Sequence, residues 1–216
     1  MANEVLLHET FEGIEDGGQP SDDWWLEGGV WMRVEGGRLR TNADPAGGEA
    51  GTGVATAWNK TPVSGDLKVS FDAHVLSSSV NVNNINFFLM YADPSGEPLY
   101  ETRERRDSGG YDLYHPLNGY IFTFLNADPD NQGRARFRMR RCPGFNLMTE
   151  TFDYHCREGV TYHAEITKRG GKITFAVDGK VYLEHEDPEP WTEGIIGLRT
   201  FKTDLWWGDI RVERND

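Results

Sequence analysis

Five residues that could move protons or hold a sugar, Tyr111, Tyr114, His115, Asn118 and Tyr120, fall within ten positions of GGYDLYHPLNGYIFTFLN. Tyrosine and histidine are the side chains a β-elimination needs as base and acid, and arginine or asparagine can neutralise a uronate so that its C5 proton becomes acidic. Arginines follow closely. In RARFRMRR, Arg134, Arg136, Arg138 and Arg140 recur at every second position, so a β-strand would line them on one side and put Ala135, Phe137 and Met139 on the other. Together these residues have the composition of a lyase site for uronate-containing oligosaccharides. His115 or Tyr120 would take the proton, a second tyrosine such as Tyr114 would protonate the leaving oxygen, and Arg138, Arg140 or Arg141 would stabilise the enediolate. Tyr111, Asn118, Arg138, Arg140 and Asn146 are the candidate substrate-binding residues. The same positions also have a plain structural reading: Tyr120, Phe122 and Phe124 as core or cleft-wall aromatics, His115 as the cap of a turn before Pro116, and the arginines as a solvated ladder paired with carboxylates.

Other residues point less directly. Arg103, Arg105 and Arg106 could close over an acidic ligand, or be neutralised by Glu101, Glu104 and Asp107 beside them. Among seven tryptophans, Trp58 is the expected sugar-stacking platform, because in LWWGD the adjacent Trp206 and Trp207 must point to opposite faces and at least one is core. Hydrolysis would need two carboxylates about 5–9.5 Å apart. The strand motif E-x-D-x-x-E is absent, which leaves Glu27, Glu150 and Asp153 unassigned. There is no zinc spacing, phosphate loop or G-x-S-x-G elbow. No cofactor is required by this reading. A structural calcium is expected only where Glu12 and Asp209 could meet as the termini pair.

Thirty-five acidic residues against 22 lysines and arginines, a net charge of −13, disfavour nucleic acid as a partner, since that binding is dominated by basic side chains on phosphates. No charged leader with an apolar run follows Met1, and no stretch of about 18 apolar residues occurs. The expectation is a cytoplasmic protein without a membrane partner, acting on an oligosaccharide. Cys142 and Cys156 do not form CxxC; reduced thiols are expected there, with a disulfide as the alternative.

The elements that position these residues read as strands. Period-two alternation recurs between clusters of Gly, Asp, Asn and Pro, and no long 3.6-residue apolar period appears. Strands are expected near 5–11, 30–41, 53–58, 66–76, 84–91, 119–126, 134–141, 145–150, 160–168, 172–178, 181–186, 195–201 and 205–213. Residues 92–112 form a long polar loop, of the size that tends to be functional. Many short strands with no repeat period or linker indicate an all-β antiparallel sandwich or jelly roll, one domain over 1–216.

DDWWLEGG, YDLYHPLNGYIFTF, RMRRCPGFNL, ITKRGGKITFAVDGKVYLEHED and GIIGLRTF together resemble the bacterial YesU-like family. The resemblance implies a concanavalin A-like β-sandwich (jelly roll) and an association with rhamnogalacturonan, a pectic polysaccharide. It implies matching positions at Trp24, Glu27, Gly28, Gly29, Tyr111, Tyr114, His115, Arg141, Gly144 and Phe145. The insertion ADPDNQGRA before the arginine strand departs from it, as does Asn146, where a histidine is expected. No reaction is carried over with the fold. The reading is therefore of a carbohydrate-active protein, with an enzyme preferred over a binder: a lyase on acidic sugars, or alternatively an Asp/Glu hydrolase or a non-catalytic glycan-binding module.

Overall fold

A computed structural model describes residues 3–44, 53–128 and 133–215. Two antiparallel sheets face each other. One has eight strands: β1 (Val5–Glu9), β3 (Trp31–Glu35), β4 (Arg38–Asn42), β6 (Leu67–Ser77), β11 (Thr161–Arg169), β12 (Lys172–Val177), β13 (Lys180–Glu186) and β15 (Asp204–Arg214). The other has seven: β2 (Trp24–Gly28), β5 (Val54–Ser64), β7 (Ile85–Ala92), β8 (Asn118–Asp128), β9 (Arg134–Cys142), β10 (Asn146–Thr151) and β14 (Glu193–Phe201). The first runs in the order β13-β12-β11-β6-β15-β4-β3, with β1 also on β15; the second runs β10-β9-β8-β7-β14-β5-β2. Among the described residues helix is confined to two short 3₁₀ turns, Arg103–Arg106 and Tyr111–Tyr114. No helix there is long and apolar enough to cross a membrane.

The all-β sandwich expected from the alternation is present. The expected strand over 30–41 is two, because Gly36 and Gly37 turn the chain at φ +57° and +68°, a conformation that glycine adopts without a Cβ clash. Strand β2 was not expected from the sequence. Four residues of the ADPDNQGRA insertion, 129–132, lie outside the described residues.

Alternating apolar residues of both sheets fill the space between them, among them Phe71, Phe87, Phe122, Phe137, Phe175 and Trp207. Phe71 of β6 and Phe87 of β7 stack across the interface, centroids 5.0 Å apart. A second apolar layer lies outside the seven-stranded sheet. There Trp25, Trp58, Phe88, Tyr91 and Ile121 meet Leu99, Tyr114 and Leu117 from the segment that joins β7 to β8. The long polar loop is thus a cover packed against one sheet. Cys142 and Cys156 are unpaired and buried, one in each layer.

Removing the inter-sheet stack leaves a cavity as well as lost burial, so Phe87→Ala is expected to cost about 3–5 kcal/mol. Urea unfolding of the variant checks this; a loss under about 1 kcal/mol would mean that the two sheets do not depend on this contact.

Candidate functional site

The outer face of the seven-stranded sheet carries a row of polar side chains, one from each strand. Backbone register puts Glu27 of β2 opposite Thr56 of β5, Thr56 opposite Arg199 of β14 and Arg199 opposite Asn86 of β7. The row continues through Thr123 of β8 and Arg138 of β9 to Glu150 of β10. Such a row cannot sit in the core unpaired, and its two halves are satisfied differently.

At the β2 end the row is closed over. Glu27, only 1% exposed, accepts from Trp25 Nε1 at 3.2 Å, Trp58 Nε1 at 2.9 Å and Tyr114 Oη at 2.9 Å. Its ion pair is with Arg106 of the covering segment, Nη2 to Oε1 at 3.1 Å. Arg106 spends its other donors on Leu99 O at 2.6 Å and Thr102 Oγ1 at 3.0 Å. Gly109 lets the backbone pass close by: at φ +68° a Cβ there would stand 2.9 Å from the Glu27 carbonyl oxygen. Arg199, buried beneath, donates to Thr56 Oγ1 and to the Gly109 carbonyl, both at 2.8 Å, and lies under the Tyr111 and Tyr114 rings.

At the β9 end the row is open. Arg134 lies over Phe152, and Arg136 is held by Glu150 at 2.8 and 2.7 Å. Arg138 and Arg140 instead gather with Tyr111 and His115 around Phe145. The His115 ring stacks on Phe145 at 3.8 Å, Arg140 lies 4.0 Å from the ring centroid and Arg138 5.9 Å. Arg140 Nη1 donates to the Phe145 carbonyl at 2.7 Å. Tyr111 Oη, His115 Nε2, Thr123 Oγ1, Asn86 Oδ1 and the Nε atoms of Arg138 and Arg140 have no hydrogen-bond partner among the described residues. Burial lowers the His115 pKa; Asp112 opposes the shift, while Arg140 and Arg199 reinforce it. The imidazole is therefore neutral at pH 7. Arg140 is also lowered, by burial and then by Arg138 beside it.

A sequence model for a domain of unknown function, DUF6250, matches residues 49–209. The chain belongs to this family. No curated protein sequence matches it. Among solved structures it is similar to a Bacillus subtilis protein of unknown function with a galectin-like fold, at 18% identity and TM-score 0.78 over 99% of this chain and 97% of that one. It is similar to the carbohydrate-binding module CBM66 of Bacillus subtilis, at 12% identity and TM-score 0.62 over 88% and 95%. A third likeness is to the VIP36 exoplasmic/lumenal domain in its Ca2+/Man3GlcNAc-bound form, at 10% identity and TM-score 0.65 over 97% and 90%. At these identities what is shared is the galectin- and concanavalin-like jelly roll.

Within this family member the expected site residues divide. Tyr111, His115, Arg138 and Arg140 come together as described, and Asn146 is exposed nearby, its amide turned back to the Pro143 carbonyl at 3.1 Å. Trp58 has no exposed surface and cannot stack on a sugar. Tyr114 is equally buried, donating to Glu27, and burial pushes its hydroxyl pKa well up, so it is no proton donor to a ligand. Tyr120 points the other way, into the inter-sheet core; its hydroxyl donates to Asp187 Oδ2 at 2.6 Å and accepts from the Trp191 backbone N–H. Arg141 turns to that side too, bonding Asp187 Oδ2 at 3.0 Å and the Glu189 carbonyl. The reason is parity: neighbours along a strand face opposite ways. Asn118 lines a separate cleft with Trp191. Of the loop arginines, Arg106 is the buried partner of Glu27 and Arg105 pairs with Glu97. Glu12 and Asp209 do not meet: Asp209 bonds His8 Nε2 at 2.7 Å, while the Glu12 N–H approaches Thr10. No group of three or more metal-type ligands occurs among the described residues.

Two predictions concern the supports. Glu27→Gln keeps the shape but leaves the Arg106 charge buried and unpaired, which should cost about 3–5 kcal/mol. Denaturant unfolding and faster amide exchange over residues 100–114 would register it. Asp187 has the opposite signature to an ordinary buried acid. Burial raises its pKa, but bonds from Tyr120, the Glu189 N–H and Arg141 outweigh that and leave it lowered. A carboxyl lowered on folding adds stability above its unfolded pKa of about 3.9, and that stability is lost as pH falls through the folded value. Asp187→Asn should flatten the acid limb of the stability curve; an unchanged limb would contradict the assignment.

Proposed function

We propose that this protein is a glycan-binding module whose ligand carries carboxylates, received at the open end of the polar row by Arg138, Arg140, Tyr111 and His115. One observation carries this reading. In a chain of net charge −13, two adjacent, half-buried guanidinium groups stand without an ion pair among the described residues. Burial and then Arg138 weigh against the Arg140 charge, and the orphaned donors around them cost of the order of 1–3 kcal/mol apiece when buried without a partner. A uronate carboxylate would relieve both, since guanidinium forks bind carboxylates bidentately.

Binding is preferred to elimination because the second tyrosine of the elimination scheme is missing from the site. Tyr120 is on the far face and Tyr114 is locked on Glu27. The similar structures, a carbohydrate-binding module and an exoplasmic/lumenal domain in a Ca2+/Man3GlcNAc-bound form, support the same choice. The resemblance to the YesU-like family favours a pectic source of the uronate.

Calorimetric titration of galacturonate oligosaccharides against neutral ones tests the reading. Acidic oligomers should bind, with affinity falling as salt is raised, and Arg138→Ala or Arg140→Ala should weaken them about tenfold or more, equivalent to at least 1.4 kcal/mol. An anion beside His115 favours its protonated form, so binding raises the depressed histidine pKa and takes up a proton. Affinity should therefore rise as pH falls into the range where the histidine of the complex takes up its proton, and His115→Gln should remove that rise. Equal binding of neutral and acidic oligomers would refute the assignment. Ultraviolet-absorbing unsaturated products would move it to elimination by Tyr111 and His115.

A further inference from the structure

The covering segment leaves a second hollow on the same sheet face, where β7 runs into it, and nothing in the polar row reaches there. It is a cleft of about 730 Å³ whose wall is Trp25, Tyr91 and Trp191, with Pro98 and Leu99 from the covering segment and Asn118 from the start of β8. That volume falls in the range of pockets that enclose small ligands, roughly 300–1,000 Å³.

Trp191 is the side chain that gives the cleft its character. Its indole N–H donates to the Cys142 carbonyl at 3.0 Å, its backbone N–H to Tyr120 Oη at 3.0 Å, and Arg141 lies 4.6 Å from its ring. The indole is thus held by its own N–H and by Arg141 on a backbone tied to Tyr120, yet the residue remains half-exposed and borders the hollow. A pre-oriented, partly wet indole is the kind of surface on which the C–H face of a sugar packs, with little side-chain entropy lost on binding. Tyr100 does not compete for that role. Lys60 and Arg103 lie 3.8 and 4.1 Å from its ring centroid, and its edge meets Trp25.

The rim decides the charge of the ligand. Asp93, Glu97, Glu101 and Glu193 line the cleft with one cation, Lys60, while Arg105 pairs with Glu97 from outside the lining, and Lys60 already donates to the Asp22 carbonyl at 2.6 Å. An anionic sugar is repelled there. A cation gains little, because Glu97, Glu101 and Glu193 are exposed and an ion pair at the surface is worth roughly 0–1 kcal/mol. Carboxylates and an amide do suit hydroxyl groups: each carboxylate offers acceptors only, and Asn118 adds a donor and an acceptor.

We infer that this cleft is a second sugar subsite, independent of the arginine end, that takes an uncharged pyranose ring stacked on Trp191 with its hydroxyls on Asn118 and the acidic rim. The protein would then hold a neutral and an acidic sugar on one face, on either side of the residues 110–117.

The experiment is calorimetric titration of the full chain with the methyl glycosides of glucose, galactose, mannose and rhamnose, with glucosamine and galacturonate as charged controls. At least one neutral glycoside should bind, weakened about tenfold or more by Trp191→Ala and by Asn118→Ala, and unaffected by Arg138→Ala. Asn118→Ala removes only a half-exposed amide, so it remains decisive if Trp191→Ala fails to fold. The inference is overturned if no neutral glycoside binds at tens of millimolar, if binding survives Asn118→Ala and Trp191→Phe unchanged, or if glucosamine alone binds. It is also overturned if galacturonate competes for this cleft. Failure of acidic binding in Arg138→Ala alone leaves it standing, which separates it from the arginine-site reading.

Discussion

The buried ion pair between Glu27 and Arg106 fixes the chain from Tyr100 to Leu117 against the outer face of the seven-stranded sheet. Two charges taken out of water are stable only when every lone pair and proton finds a partner. Here Trp25, Trp58 and Tyr114 complete the carboxylate, and Leu99 and Thr102 complete the guanidinium. An apolar replacement could give as much stability, but would tolerate sliding. The forked donors of Arg106 accept one register, and that register puts Tyr111 and His115 beside Arg138 and Arg140 while leaving a gap at Trp191.

The sheet beneath supplies the other half of the positioning. Its register aligns one polar residue per strand into a continuous row, which the covering segment shuts at Glu27 and leaves open at Arg138. Where the row is shut, polarity serves folding. Where it is open, the same polarity is left unmet by protein, and Arg140 bears the repulsion of Arg138. A folded protein tolerates that cost at a site more readily than in its core.

Much of the sandwich was legible because strands announce themselves locally. Asp178-Gly179 and Gly170-Gly171 punctuate the meander, and Ile173, Phe175 and Val177 alternate into the core as expected. WWLEG does not alternate in type, since its inward and outward tryptophans look alike, so β2 was not expected and Glu27 stood as an acid without a role. Parity could have excluded two of the candidate catalytic residues: Tyr120 shares the inward phase of Phe122 and Phe124, and Arg141 is out of phase with Arg138 and Arg140. The Glu27–Arg106 pair lies 79 residues apart in sequence, and no local pattern encodes such a partnership. Trp58 failed as a platform for a related reason, since an indole reads the same whether its face is open or covered by Tyr114.

Charge sorts the two hollows more firmly than shape does. The open end of the row holds Arg138 and Arg140 without an ion pair among the described residues, whereas four acids line the Trp191 cleft, so an anionic ligand is favoured at the first and disfavoured at the second. Without Arg106 neutralising Glu27 beneath the cover, a negative charge would sit directly between the two hollows and weaken that distinction. The buried pair therefore does more than hold a loop. With that pair neutral, one end of this sheet face is lined by Arg138 and Arg140 and the Trp191 cleft is rimmed by Asp93, Glu97, Glu101 and Glu193, a contrast of charge set across a few residues of one segment.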